Sequence, residues 1–212
     1  MRFRDYKENS QGCLYHIYNR GNRGENIFLD EDDYRFFILR LRQNLYPSVE
    51  KPRWMQCLPD DSFSLSCYCL LPNHFHLLIR QNKDLPISKL LLRICTSYSI
   101  YFNKKYKKIG HIFQDQFKQK NIISDEYFKW LCAYINQNPR LHGLVNFAKD
   151  YKWSSYNEFL NISNPDRICD TSLALNLFDN NPIVFSEFVE SNFYILKQNK
   201  EMREYAEGAP LH

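Results

Sequence analysis

A chain of 212 residues can bury a sizeable core as one main domain with an appendage. No apolar run approaches the roughly 18 residues needed to cross a bilayer, and the polar start Met1-Arg2-Phe3-Arg4-Asp5 lacks the apolar core of a secretory signal, so a cytoplasmic protein with no membrane partner is expected. The net charge of +4 is modest, and the seven cysteines (Cys13, Cys57, Cys67, Cys69, Cys95, Cys132 and Cys169) are odd in number, scattered and without a disulfide-like rhythm, which fits a reducing compartment.

Taken in chain order, Cys13 to Arg20 reads as a strand, ended by the turn-rich Gly21-Asn22-Arg23-Gly24. Asp30 can cap a helix over Glu31 to Leu45, with Tyr34, Phe37, Ile38 and Leu41 at helical spacing. Pro47 and Pro52 interrupt the chain before Ser62 to Leu70, which alternates as a strand does, and Pro72-Asn73 turns it back as a hairpin through His74 to Arg80. A second helix runs from Pro86 to about Tyr106 on the apolar stripe Ile87, Leu90, Leu91, Ile94, Tyr98, Tyr101 and Phe102. A short strand follows over Phe117 to Ile123, and Ser124 or Asp125 caps a third helix that ends before Pro139. Strand, helix, two hairpin strands, helix, strand is the order of an α+β, ferredoxin-like split βαβ domain, an antiparallel sheet with helices on one face and the other free for ligands. The pattern weakens beyond Asn161, so residues 1–160 are read as the working domain and 161–212 as a mainly helical C-terminal extension that the fold could lose.

Charge is distributed unevenly over this plan. Between Arg80 and Lys120 ten Lys or Arg face two acids, whereas from Leu160 onward eight acids face four bases. A basic middle and an acidic tail point to a polyanion-binding centre, although a charge run alone reads equally as a solvated helix face.

Two places could carry chemistry. In His74-Phe75-His76 the alternation of a strand sets both imidazoles on one face, an arrangement that invites a divalent metal but that two polar residues on a wet strand face would also produce. In the third helix Tyr134 and Asn138 are four apart and share a face. If that helix packs beside the face carrying His74 and His76, Asn138 can add a third ligand through its oxygen while Tyr134 points its hydroxyl at a substrate phosphate. A divalent ion would polarise that phosphate, and the tyrosine would attack it to give a covalent phosphotyrosine ester. From helix spacing alone Tyr134 reads first as a core residue and Asn138 as a C-cap before Pro139. Tyr127, seven residues upstream on nearly the same helical face, is the competing nucleophile; Tyr134 is preferred because it has Asn138 one turn on. A rival site is structural zinc at Cys67 and Cys69 with His74 and His76 on the neighbouring strand, since Cys69 faces His76 if the turn is Pro72-Asn73, but Cys-x-Cys on a strand lacks the looped spacing of zinc ligands.

Six stretches in order, Tyr15-His16-Ile17-Tyr18-Asn19-Arg20-Gly21, Leu71-Pro72-Asn73-His74-Phe75-His76-Leu77-Leu78, Gly110-His111-Ile112-Phe113-Gln114, Tyr134-Ile135 with Asn138-Pro139, Gly143-Leu144-Val145 and Trp153-Ser154-Ser155-Tyr156, resemble the motifs of the single-tyrosine, HUH-type transposases, and most closely the REP-associated tyrosine transposases. The resemblance implies a nuclease domain that cuts and joins single-stranded DNA, often beside a hairpin, through a 5′-phosphotyrosine link with a free 3′ hydroxyl. It implies His74 and His76 as the metal pair, Tyr134 as the nucleophile, and Asn138 where the wider group often has glutamine as third ligand. Mg²⁺ is the implied ion, with Mn²⁺ the better match to two imidazoles. The DNA-binding candidates are Arg20, Arg23, Lys104, Lys105, Lys107, Lys108, His111, Gln114 and Lys118. A metal-dependent single-strand DNA transposase or endonuclease, monomeric or homodimeric, is therefore expected; the alternative is a non-catalytic nucleic-acid-binding module on the same fold, which the His pair and the placed tyrosine disfavour.

Overall fold

The computed structural model describes residues 10–46, 48–53, 55–56, 58–160 and 167–199. Strands β1 (Leu14–Arg20), β2 (Phe63–Leu71), β3 (His74–Gln81) and β4 (Lys118–Ile122) form one antiparallel sheet in the order β2-β3-β1-β4. Helix α1 (Glu31–Leu45) joins β1 to β2, and α2 (Ile87–Tyr106) joins β3 to β4. Inserting β3 between β1 and β2 in this way is the split βαβ plan that the order of elements predicts. After β4 come α3 (Asp125–Leu141), the short helices α4 (Tyr156–Phe159) and α5 (Ser172–Leu175), and α6 (Pro182–Gln198). No helix among the described residues is long and apolar enough to cross a membrane, and every described cysteine is a free thiol, Cys57 lying outside those residues.

Strand alternation divides the apolar side chains between two cores. Tyr15, Ile17, Phe75, Leu77 and Ile79 pack with Phe37 and Leu41 of α1 and Leu90, Leu91, Ile94 and Tyr98 of α2. On the other face Cys67, Cys69, Leu71 and Leu78 meet Phe128, Leu131, Cys132 and Ile135 of α3. The plain alternation read over Ser62 to Leu70 does not produce this division. Between Leu65, opposite Ile79, and Cys67, opposite Leu78, the register slips by one residue at Ser66. That bulge lets Phe63 and Leu65 before it, and Tyr68 and Leu70 after it, all face the α1–α2 core. The sheet face opposite α1 and α2 is thus not open across its width, because α3 and the tail cover part of it.

Helix α3 does not end before Pro139. It runs to Leu141, leaving Asn138 inside the helix rather than capping it. Pro139 lacks only its own N–H, whereas its carbonyl still accepts from Leu144 N (2.9 Å) and the Asn138 carbonyl accepts from His142 N (3.0 Å), so the last turn closes around it.

The proposed division near residue 160 falls at 161–166, outside the described residues, and the tail beyond it is helical. It is nevertheless stitched to the sheet domain. Asp170 N donates to Leu65 O (2.8 Å), and the Tyr46 hydroxyl to Ile168 O (2.6 Å). The buried Glu158 carboxylate accepts from Ile168 N (3.0 Å), Cys169 N (2.8 Å) and the Tyr68 hydroxyl (3.2 Å). Helix α6 then lies on α3, burying Phe185, Val189 and Leu196, while Gln137 Nε2 donates to Val189 O (3.1 Å) and Arg140 pairs with Glu190 (3.1 Å).

Part of the basic tract serves the fold. Asp30 caps α1 by accepting from Asp32 N (3.0 Å) and Asp33 N (3.2 Å), and Asp33 reaches back to Asp30 N (3.3 Å) and Leu29 N (2.7 Å). Lys105, in the last turn of α2, donates to Asp30 (2.7 Å), Asp33 (2.9 Å) and the Tyr101 hydroxyl (3.0 Å), and the Tyr106 hydroxyl donates to both aspartates. Asp33 is fully buried, so Lys105 is its counter-ion rather than a hand held out to DNA. Lys105→Met is expected to destabilise the protein by about 2–3 kcal/mol in urea denaturation, somewhat under the cost of orphaning a wholly buried charge because Lys105 keeps 26% of its exposure. A loss below about 0.5 kcal/mol, the size of an ordinary surface change, would remove it from that role.

Candidate active site

Alternation along β3 turns His74 and His76 to the α3 side, with ring centroids 5.1 Å apart. Across the ladder His76 stands opposite Tyr18 of β1 and Cys69 of β2, and His74 opposite Arg20 and Leu71. The Pro72-Asn73 turn that starts β3 is gripped by the loop after β1. Pro72 O accepts from Ile27 N (2.8 Å) and Phe28 N (2.9 Å), and Asn73 O accepts from Gly21 N (2.8 Å). Glycine is required at 21 because a Cβ there would stand 2.0 Å from Glu25 O. The segment before β4 closes the other side, Asn22 N donating to Ile112 O (2.7 Å), Gln114 N to Arg20 O (2.9 Å) and Asn19 Nδ2 to Asp115 O (3.1 Å). Between these walls lies a cavity of about 430 Å³ onto which both histidines open.

The imidazoles are held neutral. Burial pulls His74 down to about 3, aided by His142 and Arg20 and opposed by the Asn138 carboxamide beside it. Burial also takes His76 well below the ordinary histidine value, with His74, His16 and His142 adding to it, and brings His16 to about 3 with help from Lys120. Nδ1 of His74 lies 2.7 Å from Asn73 Oδ1, and Nδ1 of His76 lies 3.0 Å from His16 Nε2. The outward Nε2 atoms of both rings are buried with no hydrogen-bond partner, and although Asn138 sits close enough to influence His74, neither of its carboxamide atoms makes a hydrogen bond of proper geometry. Two neutral nitrogens and a carboxamide left unsatisfied together are a donor set that a divalent ion would complete. The zinc alternative has no such support. Among the described residues no group of three His, Cys, Asp or Glu is arranged to hold a metal. Cys67 Sγ is engaged by Ser155 Oγ (3.1 Å) and Asn136 Nδ2 (3.4 Å), and burial pushes the Cys69 thiol up, away from thiolate.

Helix α3 brings Tyr134 to the same place. Its ring stands 5.6 Å from that of His76, edge to face, and 5.5 Å from Trp130, stacked; Trp130 is stacked in turn on Tyr127 at 6.1 Å. Tyr134 is 1% exposed and Asn138 likewise, and neither lines the cavity. Tyr127 lies beyond Trp130, a step further from the histidines. Of the DNA-binding candidates, Arg20, Gln114 and Lys118 line the cavity, whereas Arg23, His111, Lys104, Lys105, Lys107 and Lys108 do not. Lys108 pairs with Glu25 (3.3 Å), and Lys104 and Lys107 are exposed.

Sequence reasoning overlooked His16, Tyr18, Asn73 and His142. His16 and Tyr18 share the strand parity that was applied to His74 and His76, and carrying it across to β1 would have found them. His142 is four residues past Asn138, and its ring lies 5.3 Å from His74, but a helix thought to stop at Pro139 hid that spacing.

Residues 52–138 match the family described as Transposase IS200 like. Over 109 residues the chain is 31% identical to the putative REP-associated tyrosine transposase of Haemophilus influenzae (strain ATCC 51907 / DSM 11121 / KW20 / Rd), a match covering 44% of this chain and 59% of that protein, so the chain spans under two thirds of its relative's length. The solved structure of a REP-associated tyrosine transposase bound to a REP hairpin superposes with a TM-score of 0.55 at 17% identity, covering 79% of this chain and 93% of the other; at that identity it speaks to the fold. In sequence over its central part and in fold over most of its length, the chain is similar to the IS200-like transposases and, among them, to the REP-associated tyrosine transposases.

Proposed function

We propose that this protein cuts and rejoins hairpin-associated single-stranded DNA through a covalent tyrosine–DNA intermediate, as a REP-associated transposase acting in the cytoplasm. The observation that carries the reading is the meeting of two neutral imidazoles, an unsatisfied carboxamide and a tyrosine ring beside a cavity walled by Arg20 and Lys118. The REP hairpin held by the structural relative supports hairpin DNA as the partner. His74, His76 and Asn138 would hold Mg²⁺ or Mn²⁺, which when bound supplies polarisation of the scissile phosphate and offsets charge on its oxygens. Arg20 and Lys118 attract the strand's backbone, and Gln114 offers a neutral polar contact beside them. Tyr134 attacks the phosphorus: the bond from its Oη to phosphorus forms as the bond from phosphorus to the 3′ oxygen breaks. The phenol loses one proton and the departing 3′ hydroxyl gains one, so the 5′ phosphate stays on the tyrosine and its ester is conserved for rejoining. Because Tyr134 is buried between His76 and Trp130, its ring has to turn toward the cavity before a phosphate can reach it.

That same burial favours a second reading, a non-catalytic DNA-binding module in which Tyr134 is a core residue. Labelled single-stranded hairpins from the DNA flanking the gene, with and without Mg²⁺, separate the two. The wild type is expected to cleave and to form an adduct whose digestion gives a peptide modified at Tyr134. His76→Ala and Tyr134→Phe are expected to lose cleavage while binding hairpins within a few fold, since basic side chains supply most of the affinity. Undiminished cleavage by His76→Ala would sink the metal assignment, an adduct at Tyr127 would move the nucleophile, and binding with no cleavage by the wild type would leave the module.

A further inference from the structure

Each of the two histidines has a polar neighbour on its Nδ1. Asn73 is tied at both ends of its carboxamide. Its Nδ2 donates to Gly24 O (3.3 Å), a carbonyl that can only accept, which turns Oδ1 toward His74 Nδ1 at 2.7 Å. An amide oxygen also can only accept, so Nδ1 of His74 carries the hydrogen and Nε2 is left with its lone pair, where no hydrogen bond of proper geometry is made. The loop around Gly21 holds the turn from outside through Gly21 N and Asn73 O (2.8 Å), so the whole arrangement is anchored to backbone. On the other histidine, His16 is wholly buried on β1, its Nε2 is 3.0 Å from His76 Nδ1 and its ring is stacked on that of His76 with centroids 5.1 Å apart. One hydrogen lies between those nitrogens. If His76 contributes it, the outer Nε2 of His76 presents a lone pair beside that of His74; if His16 contributes it, His76 presents an N–H instead.

We infer that Asn73 and His16 are positioning residues: Asn73 fixes His74 as the Nδ1–H tautomer before any ligand arrives, and His16 accepts the Nδ1 hydrogen of His76 when the ion binds, so that both Nε2 lone pairs are offered to one ligand. This rests on the reading of His74 and His76 as metal ligands. Neither positioning residue touches the ligand; each acts through the ring it orients, the relation by which outer partners set the tautomer and basicity of a metal-bound imidazole.

The test uses the full chain, ¹⁵N-labelled, and Mn²⁺ alone as the probe. Long-range proton–nitrogen spectra of the metal-free protein should show His74 protonated on Nδ1 and bare on Nε2, and spectra of the Mg²⁺-saturated protein should show the same for His76. By electron paramagnetic resonance, Asn73→Ala and His16→Phe should each bind Mn²⁺ about 10–100-fold more weakly. Asn73→Asp and His16→Gln, which keep an acceptor, should stay within a few fold of wild type. A His74 found as the Nε2–H tautomer, or folded Asn73→Ala with wild-type Mn²⁺ affinity, overturns the inference. Should His16→Phe fail to fold, the His76 tautomer in the Mg²⁺-saturated wild type decides its half: an Nε2–H there overturns it. If wild type binds no Mn²⁺, or His76→Ala binds it equally well, the metal reading itself has failed, a result distinct from loss of effect in the positioning variants alone.

Discussion

Ending the chain after Leu160 is expected to abolish the cooperative fold. The sequence suggests an expendable acidic tail, but its helices roof the second core. Phe185, Val189 and Leu196 of α6 are buried outright, and Phe178 and Phe193 nearly so. At about 1.5–3 kcal/mol for each fully buried large apolar side chain, five of them rival the whole 5–15 kcal/mol by which a domain is stable. Removing them also strips Glu158 of its two backbone donors, leaving a buried carboxylate whose acidity burial already weakens, and leaves Gln137 Nε2 without the Val189 carbonyl. Near-ultraviolet circular dichroism and thermal melting of the 1–160 chain provide the check. A sharp transition close to that of the full chain would show that α3 holds its place on the sheet unaided.

Acid should weaken the folded state steeply, before carboxylate titration dominates. Burial holds His16 and His74 at about 3 and His76 well below its ordinary value, against about 6.5 in the unfolded chain. The unfolded state therefore binds up to three more protons than the folded one. The contribution of these rings is complete above pH 6.5 and is lost as pH falls toward 3. With each proton worth about 1.4 kcal/mol per pH unit, the slope should approach about 4 kcal/mol per unit below about pH 5.5. Glu158, raised by burial, works in the opposite direction and blunts the loss. Urea denaturation at intervals from pH 7 to 4.5 measures the slope, and His76→Leu should reduce it by about one proton's share. A flat profile from pH 7 to 5 would mean that water reaches the rings.

What the sequence disclosed and what it concealed divide along physical lines. Patterns that repeat locally were readable. Asp30 before an amphipathic run marked α1, and the hairpin centred on Pro72-Asn73 set Cys69 opposite His76 as expected. Spacing on α3 also put Tyr134 and Asn138 on the sheet face that carries the histidines. Facts that depend on distant partners were not readable. Nothing local in Lys104-Lys105-Tyr106-Lys107-Lys108 says that one lysine answers a buried aspartate more than seventy residues earlier. Proline is a sound stop signal on average, yet Pro139 sits where the missing N–H can be tolerated. The burial of Tyr134 depends on Trp130 and on His76, the second brought to it only by the fold.

The extra residue at Ser66 acts on β2 as a phase shifter. Everything on the Phe63 side of it keeps one parity and everything on the Leu71 side the other, so the strand serves two masters only while Ser66 stays outside the ladder. Were Ser66 drawn into the ladder instead of standing out of it, Phe63 and Leu65 would be turned to the α3 side, and Asp170, bonded to Leu65 O, would be carried out of line with the tail it anchors. Register, more than side-chain identity, is what that point of the sheet holds fixed.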